Sequence, residues 1–192
     1  MTNNSNNLNY ELKILDNFLN EDDYKNICNL EINKNTERDF HVYHNAINDR
    51  GIIKSAISEE LLKRIHKNYH SRAMSILKEI CPEKVSLYDY SDFTIVVTSK
   101  NSKFPIHDDT PDKLLSGVIY LSPEINSGTT FYNNKNGDGE TKVEWKKNRA
   151  VFFSRKEKET WHSYEGDKKS NRVALVYNLM TKQIKKVYEI EK

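Results

Sequence analysis

The sequence predicts an α+β, mainly β domain, a β-sandwich or barrel with helices packed on its outside. Three observations point there. A long stretch from Ser58 to about Cys81 repeats its apolar residues at three- and four-residue steps, which is the signature of a helix lying on something flat. From Val85 onward, short β-branched and aromatic runs alternate with turn-forming residues. The chain of 192 residues, without an internal repeat or linker, suits one core rather than two.

Residues 1–9 are polar and Asn-rich and read as a disordered tail. Residues 10–192 read as a single domain, with helical support over 20–82 and a β core over 85–180. In 10–15, Leu12 and Ile14 fall on one face of a strand. The next stretch turns into a helix whose first turn carries Glu21, Asp22 and Asp23, which suit the positive end of the helix dipole. Tyr24, Ile27, Cys28 and Leu30 form its expected buried face. Residues 39–43 read as a short strand. Ser58 is placed to cap the long helix, whose buried face is Leu61, Leu62, Ile65, Tyr69, Ala73, Ile76, Leu77 and Ile80, and Pro82 stops it. Strands are then expected at 85–88, 93–98, 115–121, 129–132, 141–145, 150–154 and 173–179, with a loop over 133–139.

Composition removes several classes of function. Apolar residues make up 36% and charged residues 30% of the chain, and no apolar run reaches the roughly 18 residues of a membrane span. The N-terminus has neither a basic region nor an apolar stretch, so no secretory signal is expected. The net charge of +2 is spread as mixed Lys and Glu; the most basic stretch, residues 142–158, is flanked and broken by Glu140, Glu144, Glu157 and Glu159. It reads as a solvated face rather than the basic stripe of a nucleic-acid binder. Cys28 and Cys81 stand in no paired motif, so a reducing cytoplasm is the expected compartment.

The residues that carry chemistry are His107, Asp109, His162 and Arg172. A His-x-Asp pattern alone means little in a chain with six histidines. Here His107 and Asp109 project from one face of a strand or from its end, a second histidine follows beyond several strands, and Arg172 opens the last apolar strand. Two imidazoles and one carboxylate on one side of a metal leave the opposite positions open, which suits ferrous iron that must take up a co-substrate and then O₂. The planar arginine fork can grip a carboxylate in two places. Arg172 shares its face with Ala174 and Val176, small neighbours that leave room for a ligand inside a barrel.

With these residues in place, the sequence resembles the 2-oxoglutarate- and Fe(II)-dependent dioxygenases, particularly the prolyl-hydroxylase-like branch. The matching stretches are His107-Asp108-Asp109, Gly117-Val118-Ile119-Tyr120-Leu121, Ser127-Gly128-Thr129-Thr130-Phe131-Tyr132, Asn148-Arg149-Ala150-Val151-Phe152-Phe153, Trp161-His162 and Arg172. The resemblance covers residues 85–180, with weaker similarity over 10–19. The resemblance implies a double-stranded β-helix (jelly-roll) core buttressed by the N-terminal helices. It implies His107, Asp109 and His162 as ligands of Fe(II), Arg172 as the partner of the distal carboxylate of 2-oxoglutarate, and Tyr120 as a hydroxyl donor to the same carboxylate. Thr98 is the candidate contact where prolyl hydroxylases often carry a tyrosine. Ala174 replaces the serine of some branches, and Ser127-Gly128 replaces a fuller Gly-Gly. The implied reaction consumes 2-oxoglutarate and O₂, with ascorbate as a candidate reductant, and hydroxylates a peptidyl or small-molecule substrate while releasing succinate and CO₂. A carboxylate at 109 argues against a halogenating relative, and Asp108, as the middle residue, is expected to point away from the metal.

Other residues have plainer readings. His66 and His70 are four apart on the long helix but lack the intervening glutamate of zinc proteases, so they read as a solvated rim. His41 and His44 read as surface or substrate-entrance residues, and Trp161 as core or pocket wall. Tyr88 and Tyr90 read as amphipathic edge residues or cleft residues. The rival to an enzyme is a jelly-roll binding module that keeps a metal or sugar site without turnover, a cupin-like zinc protein being one form of it.

Overall fold

A computed structural model of the chain describes residues 7–36 and 40–192. Two antiparallel sheets face each other. The major sheet runs in the order β1 (Lys13–Leu15), β10 (Ala150–Phe153), β7 (Lys113–Ser122), β12 (Arg172–Met180), β5 (Tyr90–Thr98), β3 (Ala46–Asn48) and β4 (Gly51–Lys54), and β2 (Phe40–Tyr43) also pairs with β5. The minor sheet runs β6 (Lys103–His107), β11 (Trp161–Glu165), β8 (Thr129–Tyr132) and β9 (Thr141–Val143). Helices α1 (Glu21–Cys28), α2 (Glu59–Ile80) and α3 (Ile184–Ile190) complete the set. This is the double-stranded β-helix with helical buttresses.

The long helix forms where its spacing places it. The Ser58 side chain accepts from the Leu61 amide at its start, and Leu61, Leu62, Ile65, Tyr69, Ala73, Ile76 and Leu77 are its buried face, while Ile80 is only half-buried. Those side chains share one core with Phe93, Ile95 and Val97 of β5, Ile119 and Leu121 of β7, Leu175 and Tyr177 of β12, and Phe152 of β10. Because strand residues alternate between faces, the intervening positions Val96, Thr98, Ala174, Val176, Tyr120, Val151 and Phe153 point the other way, toward the minor sheet. Helix α1 docks through a buried acid: Asp23 accepts from Tyr69 (2.7 Å), Asn68 (2.9 Å) and Arg64 (2.8 Å), all on α2. Burial opposes ionisation of Asp23, but these three donors outweigh it and hold its pKa below the ordinary value.

Several elements differ from the sequence expectation. Residues 85–88 are not a strand; Pro82–Leu87 is a 3-10 helix, because Pro82 ends α2 and its backbone folds straight on into the next tight turn. The helical support over 20–82 is interrupted by β2, β3 and β4, three short strands that extend the major sheet. Only Lys13–Leu15 of 10–15 is strand. Strand β11 and helix α3 lie where no element was expected, whereas β8 matches residues 129–132. Of the tail expected over 1–9 and the strand over 39–43, residues 1–6 and 39 lie outside the described residues; Asn7 and Asn9 both bond Asn133. No helix among the described residues is long and apolar enough to cross a membrane.

His66 and His70 are not a solvated rim. Their rings stack at 4.6 Å, and the Nδ1 atoms of both are buried without a hydrogen-bond partner. His70 packs on Tyr88 and His66 on Phe93, with Asp49 3.8 Å from His66 Nε2. Burial, helped for His66 by its neighbour His70, lowers both pKa values below 6.5. The unfolded chain therefore takes up protons that the folded chain refuses, so stability is full above pH 6.5 and falls as the pH drops below it. Urea denaturation at stepwise lower pH, starting from neutrality, should show this decline, and the double variant His66→Gln, His70→Gln should show a shallower one. An equal slope in both proteins would remove the histidine pair as its cause.

Candidate metal centre

Antiparallel pairing of β11 with β6 sets His162 directly opposite His107, so the two imidazoles leave the minor sheet on the same face, with ring centroids 4.3 Å apart. Strand β6 ends at His107, and Asp109 follows in the loop. Each of His107, Asp109 and His162 offers one ligand atom, and these atoms lie within 4.8 Å of one another. Among the described residues it is the one such cluster of three. The imidazoles are also in a suitable tautomer. His107 Nδ1 lies 2.8 Å from the Pro105 carbonyl and His162 Nδ1 3.4 Å from that of Thr160. A carbonyl only accepts, so the protons sit on Nδ1 and both Nε2 lone pairs are left for a metal.

Electrostatics hold His162 and Asp109 in metal-binding form. Burial pushes His162 down to about 4, so its ring is neutral near pH 7. Burial alone would raise Asp109, but the Lys113 ammonium, the His162 ring and hydrogen bonds from Lys113 and Ser116 prevail and hold its carboxyl at about 2. Lys113 Nζ is 2.5 Å from one carboxylate oxygen and Ser116 Oγ 2.6 Å from the other. Asp108 does turn away: its carboxylate accepts from the Lys158 amide at 3.0 Å. His162 is walled by the rings of Phe153 (5.1 Å) and Phe131 (5.9 Å).

The cluster opens into a cavity of about 270 Å³ between the sheets, which Thr98, Phe104, Val118, Tyr164, Arg172, Ala174 and Val176 also line. Arg172 is only 7% exposed. Its guanidinium lies over Tyr164 (4.1 Å), Tyr120 (5.4 Å) and Trp145 (5.9 Å), and its Nε is buried without a hydrogen-bond partner. Among the described residues, the groups that act on its charge are the phenols of Tyr120 and Tyr164 and no carboxylate. Burial lowers its pKa, yet guanidinium stays protonated. A buried cation lacking a carboxylate partner is costly by itself, and this one faces the same cavity as the metal-ligand cluster.

Thr98 sits directly opposite Arg172 across the β5–β12 ladder, buried and on the cavity wall. Tyr120 is placed differently from the expected role. Its hydroxyl donates to Thr129 Oγ1 (3.0 Å) and accepts from the Thr129 amide (2.9 Å), and the residue is absent from the cavity wall. Tyr164, beneath the guanidinium, was not anticipated; lying two residues beyond His162 on an alternating strand, it could have been read from parity. Lys113 and Ser116 carried no comparable local signal, since their contact with Asp109 forms across a turn. Trp161 and His41 are not on the cavity wall, and exposed His44 lies 3.3 Å from the Thr94 hydroxyl.

No protein-family model and no curated protein matches the sequence. Solved structures match in fold. A Pseudomonas putida prolyl-4-hydroxylase is 14% identical with a TM-score of 0.61, over 91% of this chain and 94% of that one. An oxidoreductase of the 2OG-Fe(II) oxygenase family from Burkholderia pseudomallei is 14% identical with a TM-score of 0.62, over 88% and 84%. A Trichoplax adhaerens prolyl hydroxylase, solved with a peptide fragment of the hypoxia inducible factor oxygen degradation domain, is 16% identical with a TM-score of 0.58, over 96% and 88%. The likeness shows that this chain has the fold of those oxygenases.

A buried cation kept for a ligand should not be needed for folding. Arg172→Met should leave the stability of the ligand-free protein unchanged or raise it by about 1 kcal/mol, measured by urea denaturation. A loss of several kcal/mol would make the guanidinium a structural element of the barrel.

Proposed function

We propose that the protein is an Fe(II)- and 2-oxoglutarate-dependent dioxygenase that hydroxylates a C–H bond of a peptidyl or small-molecule substrate. The observation that carries this reading is the meeting, in one cavity, of a two-histidine, one-carboxylate cluster with a buried arginine that no carboxylate among the described residues neutralises. The first suits a metal with open positions, and the second suits a dianionic acid bound at its far end.

His107 and His162 would ligate through Nε2, and Asp109 through its ionised carboxylate. When bound, ferrous iron with 2-oxoglutarate and O₂ supplies the oxidising power for C–H hydroxylation, and succinate and CO₂ are released. The chain's own residues orient and shield. Arg172, stacked on Tyr164 and flanked by Thr98, holds the distal carboxylate in a fixed direction. Lys113 and Ser116 keep the Asp109 carboxyl ionised and aimed. Phe131 and Phe153 keep water from the His162 side, and Ala174 and Val176 leave the co-substrate room. That a Trichoplax relative in fold was solved with a peptide supports a peptidyl substrate, and the modest cavity supports a single side chain or a small molecule.

Anaerobic addition of Fe(II) and 2-oxoglutarate should give a weak visible charge-transfer band that His162→Ala abolishes. A protein that binds zinc, shows no such band and forms no succinate would be a jelly-roll binding module instead. Arg172→Ala should weaken 2-oxoglutarate binding by about 2–5 kcal/mol while iron still binds; unchanged affinity would overturn the role given to Arg172. Asp109→Gly should lose hydroxylation and weaken iron binding, and full activity in that variant would mean that another acid is the ligand.

A further inference from the structure

The two segments that carry the metal-ligand cluster are tied to each other by groups that are not ligands. Arg155, 2% exposed, donates from Nε to the main-chain carbonyl of Asp109 at 3.0 Å. The Lys158 amide donates to the Asp108 carboxylate. Arg155 and Lys158 belong to the connection between β10 and β11, which delivers His162; their partners belong to the loop after β6, which delivers Asp109. Since β6 ends at His107, the strand ladder no longer fixes the backbone at Asp109.

The guanidinium that makes this tie is itself held from behind. Arg155 Nη1 pairs with one oxygen of Glu191, just beyond α3, and Lys84 Nζ takes the other at 2.7 Å. Lys84 also donates to the Arg155 carbonyl, and the Glu157 amide donates to Glu191 at 3.2 Å. Lys84 is 1% exposed and the Glu191 side chain 5%. One carboxylate thus stands between two buried cations, so Glu191 decides where the Arg155 fork can lie.

We infer that Arg155 is a positioning residue of the metal centre, and that Glu191 and Lys84, on elements outside the cavity, set its orientation. The inference rests on His107, Asp109 and His162 being metal ligands. A hydrogen-bonded partner behind a ligand tunes metal affinity, typically by about 10–100-fold on removal, and here the partner acts through the backbone of Asp109. A merely structural ion cluster would change stability and leave metal affinity alone.

The test is titration of the protein with Co(II), following its visible absorption, beside urea denaturation of each variant. Arg155→Lys keeps a cation for Glu191 but lacks the planar fork needed to reach Glu191 and the Asp109 carbonyl together. It should remain folded and bind Co(II) about 10-fold more weakly or worse, with an altered absorption band. Glu191→Gln, which touches no ligand and not the loop that delivers Asp109, should also weaken Co(II) binding. It serves as the deciding variant if Arg155→Lys does not fold. Folded variants that bind Co(II) within about twofold of wild type, against the 10-fold expected, would overturn the positioning role and leave the metal site standing. If wild type binds Co(II) no better than His162→Ala, the metal site fails and the positioning role with it.

Discussion

Strands β5, β7 and β12 each present alternate residues to two different environments, and the rest of the molecule depends on that division. Ile95, Ile119, Leu175 and Tyr177 are buried beneath α2, and their packing fixes the register of the sheet. Fixing the register fixes the opposite face as well, since a slip by one residue would exchange the two sets. Thr98 and Arg172 are therefore opposed inside the barrel because apolar side chains are anchored outside it. The same logic in the minor sheet sets His162 opposite His107. Hydrophobic burial, which has no chemistry of its own, thus positions the groups that do.

Within the cavity, two cations have different fates. Lys113 is matched by Asp109, whose carboxyl it helps to hold ionised. Arg172 has aromatic faces around it but no carboxylate among the described residues. Such a buried, unneutralised charge costs stability in a ligand-free protein and is sustained by surrounding structure. The proposed co-substrate would supply the missing anion. The metal-ligand cluster has the opposite character, with a neutral His162 ring and an ionised acid ready for a cation.

Much of this was legible from residue pattern where a long period or a strong parity was at work. The face of α2 from Leu61 to Leu77, the strand 129–132 and the placing of Arg172 with Ala174 and Val176 all follow from spacing. Short elements without a clear period were missed: β3, β4 and β11 have only three to five residues each, too few to establish alternation. Residues 85–88 alternate like a strand, but the preceding proline starts a 3-10 turn that uses the same apolar side chains to cover α2. Of the site, the cluster itself could be nominated from sequence, whereas Lys113, Ser116 and Tyr164 reach it through a turn or a strand that pattern did not show. The hydroxyl of Tyr120 faced the right region in sequence, but Thr129 engages it.

The central claim is that one cavity binds a metal and a dicarboxylate side by side. A crystal structure of the protein grown with Mn(II) and 2-oxoglutarate tests it most directly. The account predicts metal density bonded to His107, Asp109 and His162, with the far carboxylate of 2-oxoglutarate against the Arg172 guanidinium. Metal bound elsewhere, or a filled triad beside an Arg172 that no carboxylate touches, would contradict it.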